Sequence, residues 1–320
     1  MTERLLINKI VDEMMAEKTN TKPFDFLFRR TIEAYPKSNH IAFGLPGIFK
    51  NIESTSITTL DGKALQQDFV ETVLPDEITL NQEVTYNFEH MSYLLSPEKI
   101  EVFYRSKNST IQKHDKPCII YMITHIDYKT DELICKINGE AFSIKIIHIS
   151  PEMIDKNLNT ISKKDYSNEE MSELDLVRLV HCLIFSRGNQ AKNAIEQIID
   201  IFKSSKMKHN NFIDLHLALK TMIKYHYSDE NELRRLFTMI TETMSDEELE
   251  KIASIEYRLE RIEQLEKENL EYKKKNQEYE NENLEYKKKN QEYKNENLEY
   301  KKKNQEYENE INYLKAQLGK

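Results

Sequence analysis

The sequence predicts an α/β domain, a helical region and a long C-terminal coiled-coil helix. Short runs of β-branched and aromatic residues mix with amphipathic helical patterns in the first half, which predicts helices packed on strands. Helical periodicity alone follows, and a fourteen-residue unit then repeats in tandem. We therefore divide the 320 residues into an α/β domain (1–160), a helical region (161–250) and a coiled coil (251–320).

Helices and strands of the α/β domain follow in order. Two amphipathic helices are predicted, one from Leu5 to about Met15 and one in the stretch PFDFLFRRTIEAY. A later helix begins after Ser96, because serine is a good N-cap and the following Pro97 suits the first helical position. The predicted strands are residues 68–74, 83–89, 117–125, 132–137 and 142–149.

The helical region is predicted to be a set of antiparallel neighbours, because turn residues separate its apolar patterns at short intervals. Ser167, followed three residues later by Glu170, has the spacing of a capping box and is predicted to open the first of these helices.

The coiled coil is predicted from the repeat in residues 268–281, 282–295 and 296–309. Asn and Tyr each recur every seven residues, three apart, which is a/d spacing with Asn at a and Tyr at d. Aliphatic residues occupy the same register at both ends. We expect a homo-oligomer through a parallel coiled coil. A solitary helix held by Glu–Lys pairs and a disordered segment are the alternatives.

Composition narrows the classes of function. The formal net charge is −9, so contact with DNA would need a local basic surface. Three widely spaced cysteines lack the spacing of a disulfide framework or a zinc site, and nine histidines show no ligand pattern. No run has the ~18 apolar residues of a membrane span and no signal peptide is evident, so we expect a cytoplasmic protein with no membrane partner.

Two carboxylates, Asp68 and Glu89, belong to neighbouring predicted strands. Side chains two apart on a strand share a face, so Glu89 and Met91 are expected to point one way and His90 the other. Carboxylates from adjoining strands suit Mg²⁺, and a metal-bound water can attack a phosphate ester. The alternative is that both are ordinary polar residues at strand ends.

The run DFVETVLPDEITLNQEVTYNFEHMS, with the flanks FDFLFRRTIEAY and KPCIIYMITHID, resembles the core of the recombination-promoting nuclease (Rpn) and putative transposase family. This family is a branch of the PD-(D/E)XK nucleases, which have a restriction-endonuclease-like fold. The resemblance covers roughly residues 20–250 and leaves the coiled coil outside it. It implies a Mg²⁺-dependent DNA endonuclease in which Asp68 and Glu89 bind the metal and the backbone carbonyl of His90 completes its ligands. Oligomerisation would bring two cutting sites together.

The chain departs from the family pattern at two positions. Met91 stands where the family has Gln or Lys, and a thioether neither orients a water nor neutralises charge. Gln67 stands where the wider superfamily has proline. Lys99 on the following helix is the candidate to reach back as a substitute. The second hypothesis is a catalytically degenerate nuclease fold that acts as a DNA-binding or protein-interaction scaffold, and a third assigns the function to the coil alone.

Overall fold

A computed structural model of the chain shows two compact units, Met1–Ile252 and Ala253–Lys320. In the first unit the structure describes residues 3–16, 23–53, 56–58, 64–66, 69–74, 82–167, 169–204, 209–245 and 247–251. In the second unit it describes Lys275, Tyr279 and residues 289–291, 294–295, 297–309 and 311–314.

A six-stranded mixed sheet lies in the first unit, which is therefore an α/β fold. The strands in chain order are β1 (Ile48–Ile52), β2 (Ser56–Thr58), β3 (Ala64–Gln66), β4 (Phe69–Leu74), β5 (Val84–Met91), β6 (Cys118–Thr124), β7 (Glu132–Ile137) and β8 (Glu140–His148). The sheet order is β1-β4-β5-β6-β8-β7, and β2 pairs with β3 separately. Strands β5, β6 and β8 run parallel, and the other neighbours in the sheet are antiparallel.

The helices of the first unit precede, interrupt and follow the sheet. They are α1 (Glu3–Ala16), α2 (Pro23–Ala34), α3 (Pro36–Ala42), α4 (Pro97–His114), α5 (Pro151–Tyr166), α6 (Glu173–Phe185), α7 (Gly188–Ser204), α8 (His209–His226) and α9 (Glu230–Thr241). Across the described residues, no helix is both long enough and apolar enough to cross a lipid bilayer.

All five strand predictions are confirmed, with ends that differ by at most two residues over the described range. The best example is β5, whose alternating Val84, Tyr86 and Phe88 gave the clearest strand pattern. Every residue of β5 is buried because helices cover both faces of the sheet at this strand. Helix α4 connects β5 to its parallel neighbour β6, as a parallel pair requires a crossover.

Helix α4 covers one face of the sheet. Its Phe103 packs in a buried apolar cluster with Met91 of β5 and Met122 of β6. On the opposite face, Phe28 of α2 packs against Phe185 of α6, with ring centroids 6.5 Å apart. The two faces of β5 therefore meet different helices, and this separation decides what each of its side chains can contact.

Serine caps start three of the helices. Ser96 accepts a hydrogen bond from the Lys99 amide at 3.3 Å, which confirms the predicted start of α4. The predicted capping box at Ser167 is wrong, because α5 extends to Tyr166 and Ser167 ends that helix. Ser172 caps α6 instead, in a capping box with Asp175.

The described residues of the second unit are helical. Tyr300, Tyr307, Ile311 and Leu314 are exposed along residues 297–309 and 311–314. Most of the repeat, including its first copy, lies outside the described residues. A continuous coiled-coil helix from residue 251 therefore stays a prediction.

Candidate functional site

Glu89 lies near the carboxyl end of β5, on the face that α4 covers. Its side chain is buried, with 6% of its surface exposed, and its Oε2 accepts a hydrogen bond from Lys99 Nζ at 3.1 Å. Lys99 is on the first turn of α4, so the cap at Ser96 fixes the start of the helix that carries it. The ammonium group of Lys99 therefore lies beside one of the predicted metal ligands. Lys99 is the residue that the sequence suggested in place of the polar side chain missing at Met91.

His90 points to the other face, as strand alternation predicts. Its ring stacks on Phe28 with centroids 5.3 Å apart, and its Nδ1 lies 3.1 Å from Asp25 Oδ1. The imidazole is thus separated from Glu89 by the sheet itself. The metal-binding role predicted for His90 concerns its backbone carbonyl and stays a prediction.

Asp68 lies outside the described residues. Strand β4 begins at the next residue, Phe69, and is the antiparallel neighbour of β5. The last described pair of this ladder joins Phe69 with Phe88. The strand that follows Asp68 in the chain is therefore adjacent to the strand that carries Glu89.

Met91 is a core residue. It is 1% exposed and packs with Phe103 and Met122 under α4. Its side chain lies on the same face as that of Glu89, two residues along the strand. Met91 therefore contributes apolar packing on this face of the sheet and not a polar group.

A carboxylate such as Glu89 is a ligand type that Mg²⁺ takes in proteins, usually one or two carboxylates together with several waters. Among the described residues, no group of three or more His, Cys, Asp or Glu side chains could hold a metal ion together. The two carboxylates that would hold Mg²⁺ are Glu89 and Asp68.

A buried pair that the sequence did not reveal lies on the opposite face. His40 Nδ1 of α3 is 2.6 Å from Glu71 Oε1 of β4, and the two side chains are 4% and 1% exposed. Burial raises the pKa of Glu71 above its ordinary value. Burial alone lowers the pKa of His40, but the hydrogen bond to Glu71 raises it overall. Because the partners are 31 residues apart, no local pattern signals them.

A second group of polar side chains lies where the parallel strands end. His125 follows β6, and its Nδ1 is 3.4 Å from Arg187 Nη2. Burial, with Arg187 nearby, lowers the pKa of His125 to about 4. Arg187 also lines a cavity of about 520 Å³ beside the first turns of α5 and α7. The guanidinium already donates to the carbonyls of Ile184 and Ser186, which fixes its position.

Several basic side chains of the first unit form ion pairs. Arg30 pairs with Asp214 at 2.9 Å, and Arg105 pairs with Glu101. Lys116 lies 3.2 Å from Glu83. Each pairing reduces the local positive field that a DNA backbone would meet.

Comparison of the chain with protein-family models, with curated proteins and with solved structures gives no match.

Proposed function

We propose that the first unit is a Mg²⁺-dependent DNA endonuclease with a restriction-endonuclease-like core. The observation that carries the proposal is the Glu89–Lys99 pair at the end of β5, next to the strand that Asp68 precedes. In metal-assisted phosphodiester cleavage a carboxylate holds the metal ion, and an ammonium group beside it can neutralise charge on the phosphate.

The order of elements supports the same proposal. The resemblance implies an opening helix, a strand after the aspartate, a strand with the glutamate, a helix, and a strand that begins at a proline. The chain has α2, β4, β5, α4 and β6 in that order, and β6 begins just after Pro117. Extra strands and helices surround this core.

The proposal requires Asp68 to lie opposite Glu89. Phe69 stands opposite Phe88, so one further antiparallel pair would set residue 68 opposite Glu89, on the face that α4 covers. Asp68 and Glu89 would then hold one cation between them, as carboxylates on facing positions of two strands can.

Glu89, Lys99 and Met91 have different roles in the proposed cleavage reaction. Asp68 and Glu89 would hold Mg²⁺, which when bound would supply a water of lowered pKa and neutralise charge that develops on the phosphate. Glu89 would bind the cation, and Lys99 donates a charge-assisted hydrogen bond to that carboxylate. The same ammonium group is placed to donate to a phosphate oxygen. Met91 excludes water from the apolar side of the pair.

The first prediction concerns Mg²⁺-dependent nicking of supercoiled plasmid by the full chain. We expect Asp68→Asn and Glu89→Gln to lower the rate by at least about a hundredfold, since removing even outer-shell metal partners costs 10- to 100-fold. Lys99→Met should lower it by roughly 10- to 100-fold for the same reason. The measurement is the initial rate of nicking with Mg²⁺ and with chelator.

Glu98→Gln is the matched control, because Glu98 is adjacent to Lys99 but exposed on the outside of α4. It should nick at the rate of the unaltered chain. Nicking that survives Asp68→Asn and Glu89→Gln would identify a contaminant and reject the proposal.

The second candidate, a nuclease fold retained as a DNA-binding or protein-interaction scaffold, is favoured by the burial of Met91 and by the neutralisation of Glu89 by Lys99. It is distinguished by titration calorimetry with Mg²⁺ and by DNA gel shifts over a range of salt concentrations. Binding of Mg²⁺ or DNA with no nicking under any condition would support the scaffold over the enzyme.

A further inference from the structure

A line of large side chains on the second unit faces solvent. Tyr300, Tyr307 and Leu314 follow one another every seven residues, and Ile311 lies three residues before Leu314. Their exposed fractions are 67%, 62%, 49% and 49% in the order Tyr300, Tyr307, Leu314 and Ile311. A seven-residue apolar spacing on one helix is the pattern that a partner helix covers.

We propose that this line is the interface with a second copy of the chain, in a parallel, two-stranded coiled coil with both chains in register. The proposal is independent of the nuclease activity. It fixes the number, direction and alignment of the chains, and each of these follows from a different part of the sequence.

The charges flanking the seam favour the parallel, in-register alignment. With Tyr300 at d, Lys303 is at g and Glu308 is at e, and these two face each other across a parallel dimer. Six of the seven such g–e pairs join Lys with Glu, and one joins two lysines. The pairs are Glu268–Lys273, Lys275–Glu280, Glu282–Lys287, Lys289–Lys294, Glu296–Lys301, Lys303–Glu308 and Glu310–Lys315.

Other alignments bring like charges together. A shift of one chain by seven residues sets Lys303 against Lys315 and Glu296 against Glu308. An antiparallel pair with matched ends sets Glu268 against Glu310, because g faces g in that direction. Like charges at these positions are destabilising.

A shift of one chain by fourteen residues still sets Lys against Glu at most g–e positions. The residues on either side of the repeats must therefore exclude this alignment. Ile262 and Leu265 before the repeats, and Ile311 to Leu318 after them, share the a/d register of the Asn and Tyr residues. In register, these aliphatic residues pack against their own copies. After a fourteen-residue shift they would face Asn and Tyr, and apolar burial would be lost.

The side chains at a determine the number of chains. Buried Asn at a selects two parallel strands, where each amide can bond with its copy in the partner. Asn297 and Asn304 occupy this position on the described helix. Tyr at d keeps its hydroxyl at the edge of a two-stranded seam, where it reaches water.

Disulfide formation between introduced cysteines tests direction and alignment on the full chain. Under mild oxidation, Tyr300→Cys should form a disulfide dimer in high yield. Lys302→Cys, at the outer f position, is the matched control and should not exceed the background of the unaltered chain, which has its own Cys118, Cys135 and Cys182. Lack of a Tyr300→Cys dimer would overturn the parallel alignment.

A mixture of two variants tests the fourteen-residue shift. Tyr286→Cys and Tyr300→Cys, one of them carrying a mass tag, should give homodimeric disulfides and no mixed species beyond background. A mixed disulfide in excess over the two homodimers would overturn the in-register proposal. Sedimentation equilibrium should give a dimer mass, and a monomer or trimer mass would reject two strands.

Lys294, in the one mismatched pair, gives an energetic test. Lys294→Glu converts two repulsive Lys–Lys contacts per dimer into attractive ones, so the dissociation constant should fall by roughly fivefold at low salt, with less change at high salt. Lys302→Glu makes the same charge change at the outer position and should leave the constant within about twofold. Equal effects of both substitutions would show that net charge, and not pairing, sets the affinity.

Discussion

At the scale of single residues, two buried histidines offer a matched comparison. His181 and His216 are 5% and 0% exposed, and burial lowers the pKa of each to about 3. His181 Nε2 pairs with Asn39 Oδ1 at 2.8 Å, whereas neither ring nitrogen of His216 has a hydrogen-bond partner among the described residues. The two side chains therefore share burial and protonation state but differ in polar satisfaction.

We expect His216→Leu to raise the free energy of unfolding by about 1–3 kcal/mol, because an unsatisfied buried donor is removed. His181→Leu should lower it by a similar amount, since Asn39 Oδ1 would lose its donor. Urea denaturation of the two variants beside the unaltered chain measures both changes. A destabilised His216→Leu would show that this ring has a partner that matters to the fold.

Some contacts of single residues could be predicted from the sequence, and others could not. The face alternation of Glu89 and His90 was predictable, because it follows from the period of a strand. The contact of His40 with Glu71 was not, because it depends on where α3 lies against β4. Lys99 is intermediate: its place on the first turn of α4 follows from Ser96 and Pro97, but its distance to Glu89 depends on how that helix packs.

At the scale of elements, the connection between α5 and α6 shows which serine caps the start of α6. Ser172 accepts from the Asp175 amide at 3.2 Å, and Asp175 Oδ2 accepts from the Ser172 amide at 3.0 Å. Lys164 of α5 donates to the same carboxylate at 2.9 Å. Burial alone raises the pKa of Asp175, but the bonds from Ser172 and Lys164 lower it overall.

We expect Ser172→Ala to cost about 1 kcal/mol of stability, with a range of 0.5–2 for lost N-caps. Ser167→Ala is the control, because Ser167 is exposed and caps no helix start; the cost should stay within about 0.5 kcal/mol. Thermal or urea unfolding of the two variants gives the comparison. A larger loss of stability for Ser167→Ala than for Ser172→Ala would support the capping box at Ser167 that the sequence indicated.

Two elements of the structure, α5 and β1, were not predicted from the sequence. Helix α5 was not predicted, although Ser150, Pro151 and Glu152 repeat the Ser-Pro-Glu signal that correctly placed the start of α4. Strand β1 was missed for a different reason. Four of its five residues are exposed at the edge of the sheet, so it lacks the alternation that marks a half-buried strand.

At the scale of the whole molecule, buried neutral histidines predict loss of stability in acid. Burial lowers the pKa of His114, His125, His181, His216 and His226 in the first unit. In the unfolded chain these groups bind protons near pH 6.5, whereas the folded chain resists protonation until about pH 4 at His125 and about pH 3 at His181 and His216. At these five rings the unfolded state therefore binds more protons in this window, and their contribution to stability falls as the pH falls. His40, whose pKa is raised by Glu71, makes a contribution of opposite sign that the five outnumber.

We expect the urea midpoint to decline progressively from about pH 6.5 towards pH 4, and the decline to be shallower in His216→Leu. Proton uptake on unfolding, measured from the slope of stability against pH, checks the sign directly. A midpoint that is flat or rises as the pH falls through this window would contradict the neutral state of these rings.

The fourteen-residue unit keeps the heptad phase constant across the repeats. Loss of residues 282–295 would join two segments in the same phase and would delete Lys294, the mismatched lysine. Each unit would add roughly 21 Å to the proposed coiled coil, at 1.5 Å per residue. A variant of the chain with fewer or more units would therefore form a dimer of different length in which the same kinds of side chain meet.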